Sequence, residues 1–254
     1  PGDTQKYREN TNGVEDLRRR KSTANRLLSV LKAAMNFAYA NRHVSSDDAW
    51  RSVKPFREVD AARVRYLNDD ESKRLVNACA EDFRCLVQAA LLSGARYGEL
   101  LALKASDFNA DSGTVHIRIS KSGKPRHIVL STEGQKFISQ MALGKKPDAL
   151  LFTRADNEQW GTSHQHRPFK SAISIAKLGA MSFHELRHTY ASRLIMGGAP
   201  LAVVAAQLGH SDTRMVEKHY GNMAPSYVAD TVRASFGEMG ILEPSNVAPF
   251  RVNI

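Results

Sequence analysis

Residues 182 to 194 read SFHELRHTYASRL, and inside them His184-Glu185-Leu186-Arg187-His188 fits the zinc-peptidase pattern H-E-x-x-H letter for letter. Two chemistries compete for this stretch. Residues i, i+3 and i+4 share one helical face, so His184 can act with His188 on a cation or with Arg187 on an anion. A zinc peptidase needs a third protein ligand. Its extended form would place a glycine and a further histidine where this sequence has Ala191 and Leu194, which leaves Glu217 as the nearest candidate carboxylate. Arg187, permanently charged, would repel a metal that it faced. The anion reading needs more cations and a nucleophile. QLGHSDTRMVEKHYGNM, at 207 to 223, offers His210 at a helix break and Tyr220 ten residues later. A neutral phenol attacks poorly. Cations that stabilise its phenolate, and the charge on the phosphoryl centre it attacks, make it useful for covalent catalysis. Arg96, after the break at Ser93-Gly94, and a lysine in the SKSGK turn enlarge the positive set.

These residues lie far apart in the chain, so a fold has to gather them. Leu27, Leu31, Ala34, Met35 and Ala38 recur at helical spacing between Ser22 and Asn41, with Arg26 and Lys32 on the other face. SVKPFREVDAARVRY, residues 52 to 66, has a proline and no periodicity and reads as a linker. Asn68 before Asp69-Asp70-Glu71 marks a helix start running to about Ala80. Further helices are expected at about 82–92 and 97–103. The alternating segments TVHIRI (114–119) and RHIVLS (126–131) suit a hairpin turned by SKSGKP, with ALLFT (149–153) as a flanking strand. Helices are then expected at about 166–178, 184–196, 200–208, 212–220 and 226–236. In the third of these, Val203, Val204, Ala206 and Leu208 are expected in the core, and His188 and His219 are read as structural neighbours of the reactive groups.

The composition favours a polyanionic partner. Lys and Arg number 36 against 26 Asp and Glu, a formal charge of +10, and the excess is shared between residues 1–60 and the remainder. Two cysteines, Cys79 and Cys85, stand in apolar helical contexts without a paired motif, as small core residues of a protein in a reducing cytosol. No apolar run approaches a membrane span. Residues 1–21 are polar and begin without methionine, as expected of the middle of a longer protein.

SGARYGELLAL, the hairpin lysine, HELRHTYASRL and QLGHSDTRMVEKHY stand in an order that resembles the tyrosine recombinases, the phage integrase family. The resemblance covers about residues 66 to 237, and residues 22 to 55 look like the later part of the family's helical core-binding domain. It implies an α+β fold, mainly helical with a small antiparallel sheet. The implied organisation is a partial core-binding domain at 1–55, a linker at 56–66, a catalytic domain at 67–237 and a tail at 238–254. It implies a site-specific recombinase in which Tyr220 attacks a scissile phosphodiester, forming a 3′-phosphotyrosyl bond that a second 5′-hydroxyl later reverses. The linkage conserves the phosphodiester bond energy, so the implied reaction uses no metal, ATP or other cofactor. Arg96 and Arg187 would hold the nonbridging oxygens with forked donors. His184 would move the tyrosine's proton, His210 would hydrogen-bond the phosphate, and Glu99 would orient Arg96 through an i, i+3 pair. Lys121, or alternatively Lys124, would protonate the leaving oxygen, while Arg26, Lys32 and Lys124 would contact DNA. The implied partners are double-stranded DNA attachment sites bound by a homotetramer. Residues 225–241, with Val228, Val232 and Phe236 at helical spacing, suit docking on a neighbouring protomer or packing on their own domain. A type IB topoisomerase and a DNA-binding protein without catalysis remain alternative readings, and the zinc peptidase a remote one.

Overall fold

The computed structural model describes residues 13–57, 59, 65–118 and 125–220, and the chain divides into two units, Pro1–Arg63 and Val64–Ile254. No helix among the described residues is long and apolar enough to cross a membrane.

The first unit contains α1 (Gly13–Ala40) and α2 (Asp48–Arg51). The long helix begins well before Ser22, because VEDLRRRK contains neither glycine nor proline and is rich in straight-chain helix formers. Its expected apolar face does not turn inward: Leu27 and Leu31 are 67% and 56% exposed. Polar anchors set the helix orientation instead. Asn25 donates to the Phe56 carbonyl at 2.9 Å and accepts from the Phe56 N–H at 2.8 Å, and Lys32 Nζ donates to the Val53 carbonyl at 2.5 Å. The Trp50 indole N–H donates to Asn36 Oδ1 at 2.7 Å, and its ring meets the Tyr39 ring edge-on.

The second unit opens with α3 (Asp69–Ala78). Asn68 caps it as its sequence predicts: its side chain accepts from the Glu71 N–H at 2.8 Å, and Glu71 Oε2 accepts from the Asn68 N–H at 3.0 Å. There follow α4 (Glu81–Ser93), α5 (Tyr97–Leu101), a 3₁₀ turn (Ala105–Asp107) and the strands β1 (Phe108–Asn109), β2 (Thr114–Ile117) and β3 (Arg126–Val129). After these come α6 (Thr132–Ala142), α7 (His166–Ile175), α8 (His184–Met196), α9 (Leu201–Leu208) and α10 (Arg214–Tyr220). The sheet is antiparallel in the order β1-β2-β3. Its register pairs Val115 with Ile128, both turned into the core, while His116 and His127 pair on the opposite face.

Two expectations are corrected here. The segment 149–153 is no strand of this sheet. Its backbone bonds to the chain after α5, with the Leu151 N–H on the Leu103 carbonyl at 2.8 Å and the Ala105 N–H on the Ala149 carbonyl at 2.9 Å, and β1 forms the sheet edge. α6 has no counterpart in the sequence reading, because its cap, Ser131, was counted as the end of a strand. The Ser131 hydroxyl accepts from the Gly134 N–H at 3.2 Å, and Ile138 faces the core.

The core has two parts. Phe83, Leu86, Val87 and Ala90 of α4 are fully buried in the larger one, where the Phe83 ring centroid lies 5.6 to 6.3 Å from those of Trp160, Phe183 and Phe169. Removing a side chain such as Phe83 from water contributes about 1.5–3 kcal/mol. The smaller part joins Tyr190, Ala191 and Ile195 of α8 to Val204 and Leu208 of α9 and to Val216 and Tyr220 of α10. α8 contributes to both, with Leu186 in the first. On α9 only one side of the predicted apolar stripe is core: Val204 and Leu208, four residues apart, are buried, but Val203 is 48% exposed and Ala206 is also exposed. Cys79 is buried and Cys85 partly so, both thiols are free, and burial pushes the Cys79 thiol up to about 11, as suits an unreactive packing residue.

Candidate active site

Two helices end in left-handed glycines, and their ends meet at Arg187. α4 closes on Gly94, with φ +63°, where a Cβ would lie 2.3 Å from the Tyr190 ring. α9 closes on Gly209, with φ +68°, where a Cβ would meet the Arg126 side chain at 2.8 Å. Glycine is thus required at both places by backbone conformation and by space. Carbonyls at such ends lack intrahelical partners and carry the negative end of the helix dipole. Arg187, 4% exposed on α8, uses them: Nη1 donates to the Gly94 carbonyl at 2.8 Å and Nη2 to the Leu208 carbonyl.

His210 follows Gly209 directly, and its Nε2 lies 3.2 Å from Arg187 Nη2. A guanidinium only donates, so Nε2 accepts in this arrangement. Burial, then the nearby Arg96 charge, pushes the Arg187 pKa down to about 9, still charged at neutral pH.

Arg96 sits in the break between α4 and α5, held by Glu99. The Glu99 carboxylate accepts from the Arg96 backbone N–H and from Arg96 Nη1, each at 2.9 Å. It also takes a forked pair from Arg126, Nη1 at 3.0 Å and Nη2 at 2.8 Å. Burial alone would raise the Glu99 carboxyl; the hydrogen bonds and charges of Arg126 and Arg96 outweigh it and hold the pKa below the usual value. Arg126 was missed in the sequence. Its signal was there, since Arg126 and Ile128 fall on the same, core-facing side of β3, and a charged residue at such a position demands a partner.

Tyr220, at the end of α10, is 2% exposed. Burial raises its phenol pKa above the ordinary tyrosine range, and the charge of Arg187 opposes that rise. Its hydroxyl lies 2.5 Å from His188 Nδ1. His184 is exposed, with its ring edge-on to that of His188 at 4.8 Å. The structure therefore groups Arg96, Glu99, Arg187 and His210, and places Tyr220 within reach of the Arg187 charge. Lys121, Lys124 and residues 225–241 lie outside the described residues, as does the His219 side chain. Arg26 is exposed and Lys32 bonded to Val53, both on α1 of the other unit.

The H-E-x-x-H match does not build a metal centre of the expected kind. Its inner position is the buried Arg187, Glu217 accepts from the Thr213 hydroxyl at 2.5 Å, and among the described residues no group of three or more His, Cys, Asp or Glu side chains is placed to share an ion.

The sequence model of the phage integrase family matches residues 65–226. The chain belongs to that family. Among its relatives, the integrase of Salmonella phage P22 is 24% identical over 182 residues, 67% of this chain and 47% of that protein. Tyrosine recombinase XerD of Pasteurella multocida is 25% identical over 206 residues, 75% of this chain and 68% of that protein. The chain thus spans about half the length of the first and two thirds of the second. Among solved structures, the Tn1549 transposon integrase in complex with circular intermediate DNA superposes with a TM-score of 0.67 at 16% identity, over 88% of this chain and 83% of that one. That likeness shows the fold, mainly helical with a small antiparallel sheet. Neither the zinc-peptidase nor the topoisomerase reading is favoured by family members that are integrases and tyrosine recombinases.

Proposed function

We propose that this chain is a site-specific DNA recombinase that cleaves and rejoins strands through a 3′-phosphotyrosyl intermediate. Strand transfer belongs to residues 67–237, and the helical unit before them, with Arg26 and Lys32, grips the duplex. The observation that carries this reading is Arg187, a buried cation held by neutral carbonyls whose charge acts on the Tyr220 phenol. Among the described residues no carboxylate hydrogen-bonds Arg187, and a phosphodiester would supply an anion there. The solved Tn1549 relative, bound to DNA, supports a nucleic-acid partner.

In the proposed reaction Tyr220 Oη bonds to phosphorus as the P–O5′ bond breaks. Arg96 and Arg187 stabilise the charge that builds on the nonbridging oxygens. Glu99 keeps Arg96 aimed, His210 adds a hydrogen bond to the phosphate, and His184 serves proton exchange at the solvent side. Lys121, with Lys124 as alternative, protonates the departing 5′-oxygen. A 5′-hydroxyl from a partner duplex then attacks the phosphotyrosine, and the bond count is unchanged, so no energy source is consumed. Assembly gives direction: four copies act on two duplexes in a bacterial or phage-infected cytoplasm, with residues 225–241 docking on a neighbour. Deleting residues 225–254 then abolishes association on target DNA, and an unchanged oligomer counts against that docking.

The decisive experiment offers the chain, in chelator, a library of nicked duplexes with randomised cores. The expected result is a denaturation-resistant protein–DNA adduct whose recovered sequence defines the site, and its absence in Tyr220→Phe. A wild-type chain that traps nothing defeats the reading.

A further inference from the structure

The nucleophile's hydroxyl already has a base on it, and that base is not the histidine expected to serve it. His188 stands one helical turn after His184 on α8, partly buried, with Nδ1 2.5 Å from Tyr220 Oη and the two rings 5.8 Å apart. The phenol is neutral at rest, so its O–H is the donor and Nδ1 the acceptor, which puts the imidazole's own proton on Nε2.

The carboxylates around the site are engaged elsewhere. The Glu99 carboxylate is taken up by Arg96 and Arg126. Glu217 accepts from Thr213, and His184 is exposed, its ring edge-on to that of His188. Arg187, Arg96 and Arg126 are cations. A general base must stand within hydrogen-bond reach of the proton it takes, and His188 Nδ1 meets that condition before any substrate arrives.

We propose that His188 is the general base of strand cleavage: its Nδ1 takes the Tyr220 hydroxyl proton as Oη bonds to phosphorus and the P–O5′ bond breaks. The leaving oxygen receives a different proton, from the hairpin lysine. When a 5′-hydroxyl reopens the phosphotyrosyl bond, its proton returns to that lysine, and His188 gives its own back to Tyr220 Oη. The adjacent exposed His184 ring then borders the route by which the pair exchanges protons with water. This assignment rests on the strand-transfer reading above.

The test uses the full chain and the duplex recovered from the library. Asparagine at 188 can accept the phenol's hydrogen bond but cannot take its proton, so His188→Asn is expected to slow adduct formation roughly 100-fold with an unchanged thermal midpoint. A difluorotyrosine in place of Tyr220, a more acidic phenol that needs less help, is expected to restore at least about tenfold of that loss. Restoration is a result that a merely structural role for His188 would not give. Adduct formation by His188→Asn within about threefold of wild type, or a loss that the acidic phenol does not relieve, overturns the assignment while leaving strand transfer intact. A wild-type chain that forms no adduct overturns both.

Discussion

Arg126 and Arg187 come from different elements, a strand and a helix, and both reach the carboxyl end of α9, where Arg126 Nε donates to the Gln207 carbonyl at 3.0 Å and Arg187 Nη2 to that of Leu208. Both side chains are largely withdrawn from water. They differ in what faces the rest of the guanidinium. Arg126 meets a carboxylate in forked geometry and its charge is answered within the protein. Arg187 donates to two carbonyl oxygens and an imidazole, so its hydrogen-bond partners among the described residues are neutral. Burial, then the nearby Arg96 charge, lowers the Arg187 pKa. Arg126 is an arginine whose charge is met by a carboxylate; Arg187, held by neutral acceptors, is the one proposed above to meet a phosphate.

The largest separation between the two is expected in chemistry. Arg187→Met should lower the rate of adduct formation about 10²–10³-fold, the loss typical of a donor to developing transition-state charge. Its folding stability should also fall, by about 1–3 kcal/mol, because the buried Gly94 and Leu208 carbonyls lose their donor. A variant that keeps wild-type cleavage would remove Arg187 from the reaction. Next in size is Glu99→Gln. It leaves Arg96 and Arg126 without their shared anion and should cost about 3–5 kcal/mol, read from the denaturant midpoint. The sign of its pH dependence follows from the depressed Glu99 pKa. The contribution is fully present above the ordinary carboxylate value and disappears as pH falls through the lower, folded-state value. Wild type should therefore lose this component in acid, and the glutamine variant, which never had it, should not. Parallel acid titrations of the two proteins would place the Arg126 contact elsewhere.

How much of this was legible in the sequence depends on the range of the interaction that decided each feature. Asn68 and Glu71 form their capping box within one turn, and the pattern alone was sufficient. The i, i+3 spacing of Arg96 and Glu99 likewise put the pair on the page before the fold. The bond from Arg126 to Glu99 joins residues 27 apart and depends on the strand register, which no local pattern specifies. The bond from His188 to Tyr220 crosses between α8 and α10, so the sequence offered an imidazole next to the key arginine but not its target. The apolar positions of α1 misled for a related reason. Helical spacing shows that Leu27 and Leu31 share a face, but not whether that face meets the rest of its unit, and there polar bonds from Asn25 and Lys32 fixed the orientation. α6 was lost to a one-residue ambiguity, Ser131 being equally plausible as a strand end and as a cap.

The smallest expected effect bears on the platform that the two arginines share. Gly209→Ala puts a Cβ on a residue at φ +68° and within 2.8 Å of the Arg126 side chain. The left-handed conformation costs an alanine roughly 1–2 kcal/mol, and the crowding falls on Arg126, whose long side chain can shift. Arg187 reaches the carbonyl of the preceding residue, Leu208, from α8 and is not among the atoms that a Cβ at 209 would strike. The variant should therefore lose stability by about that amount, measured by chemical denaturation, while adduct formation falls less than about tenfold, well short of the range for Arg187→Met. If cleavage instead collapsed as far as in the Arg187 variant, the glycine turn would be positioning His210 or Arg187 directly, and the division between an arginine met by a carboxylate and one held by neutral acceptors would have to be redrawn around the turn.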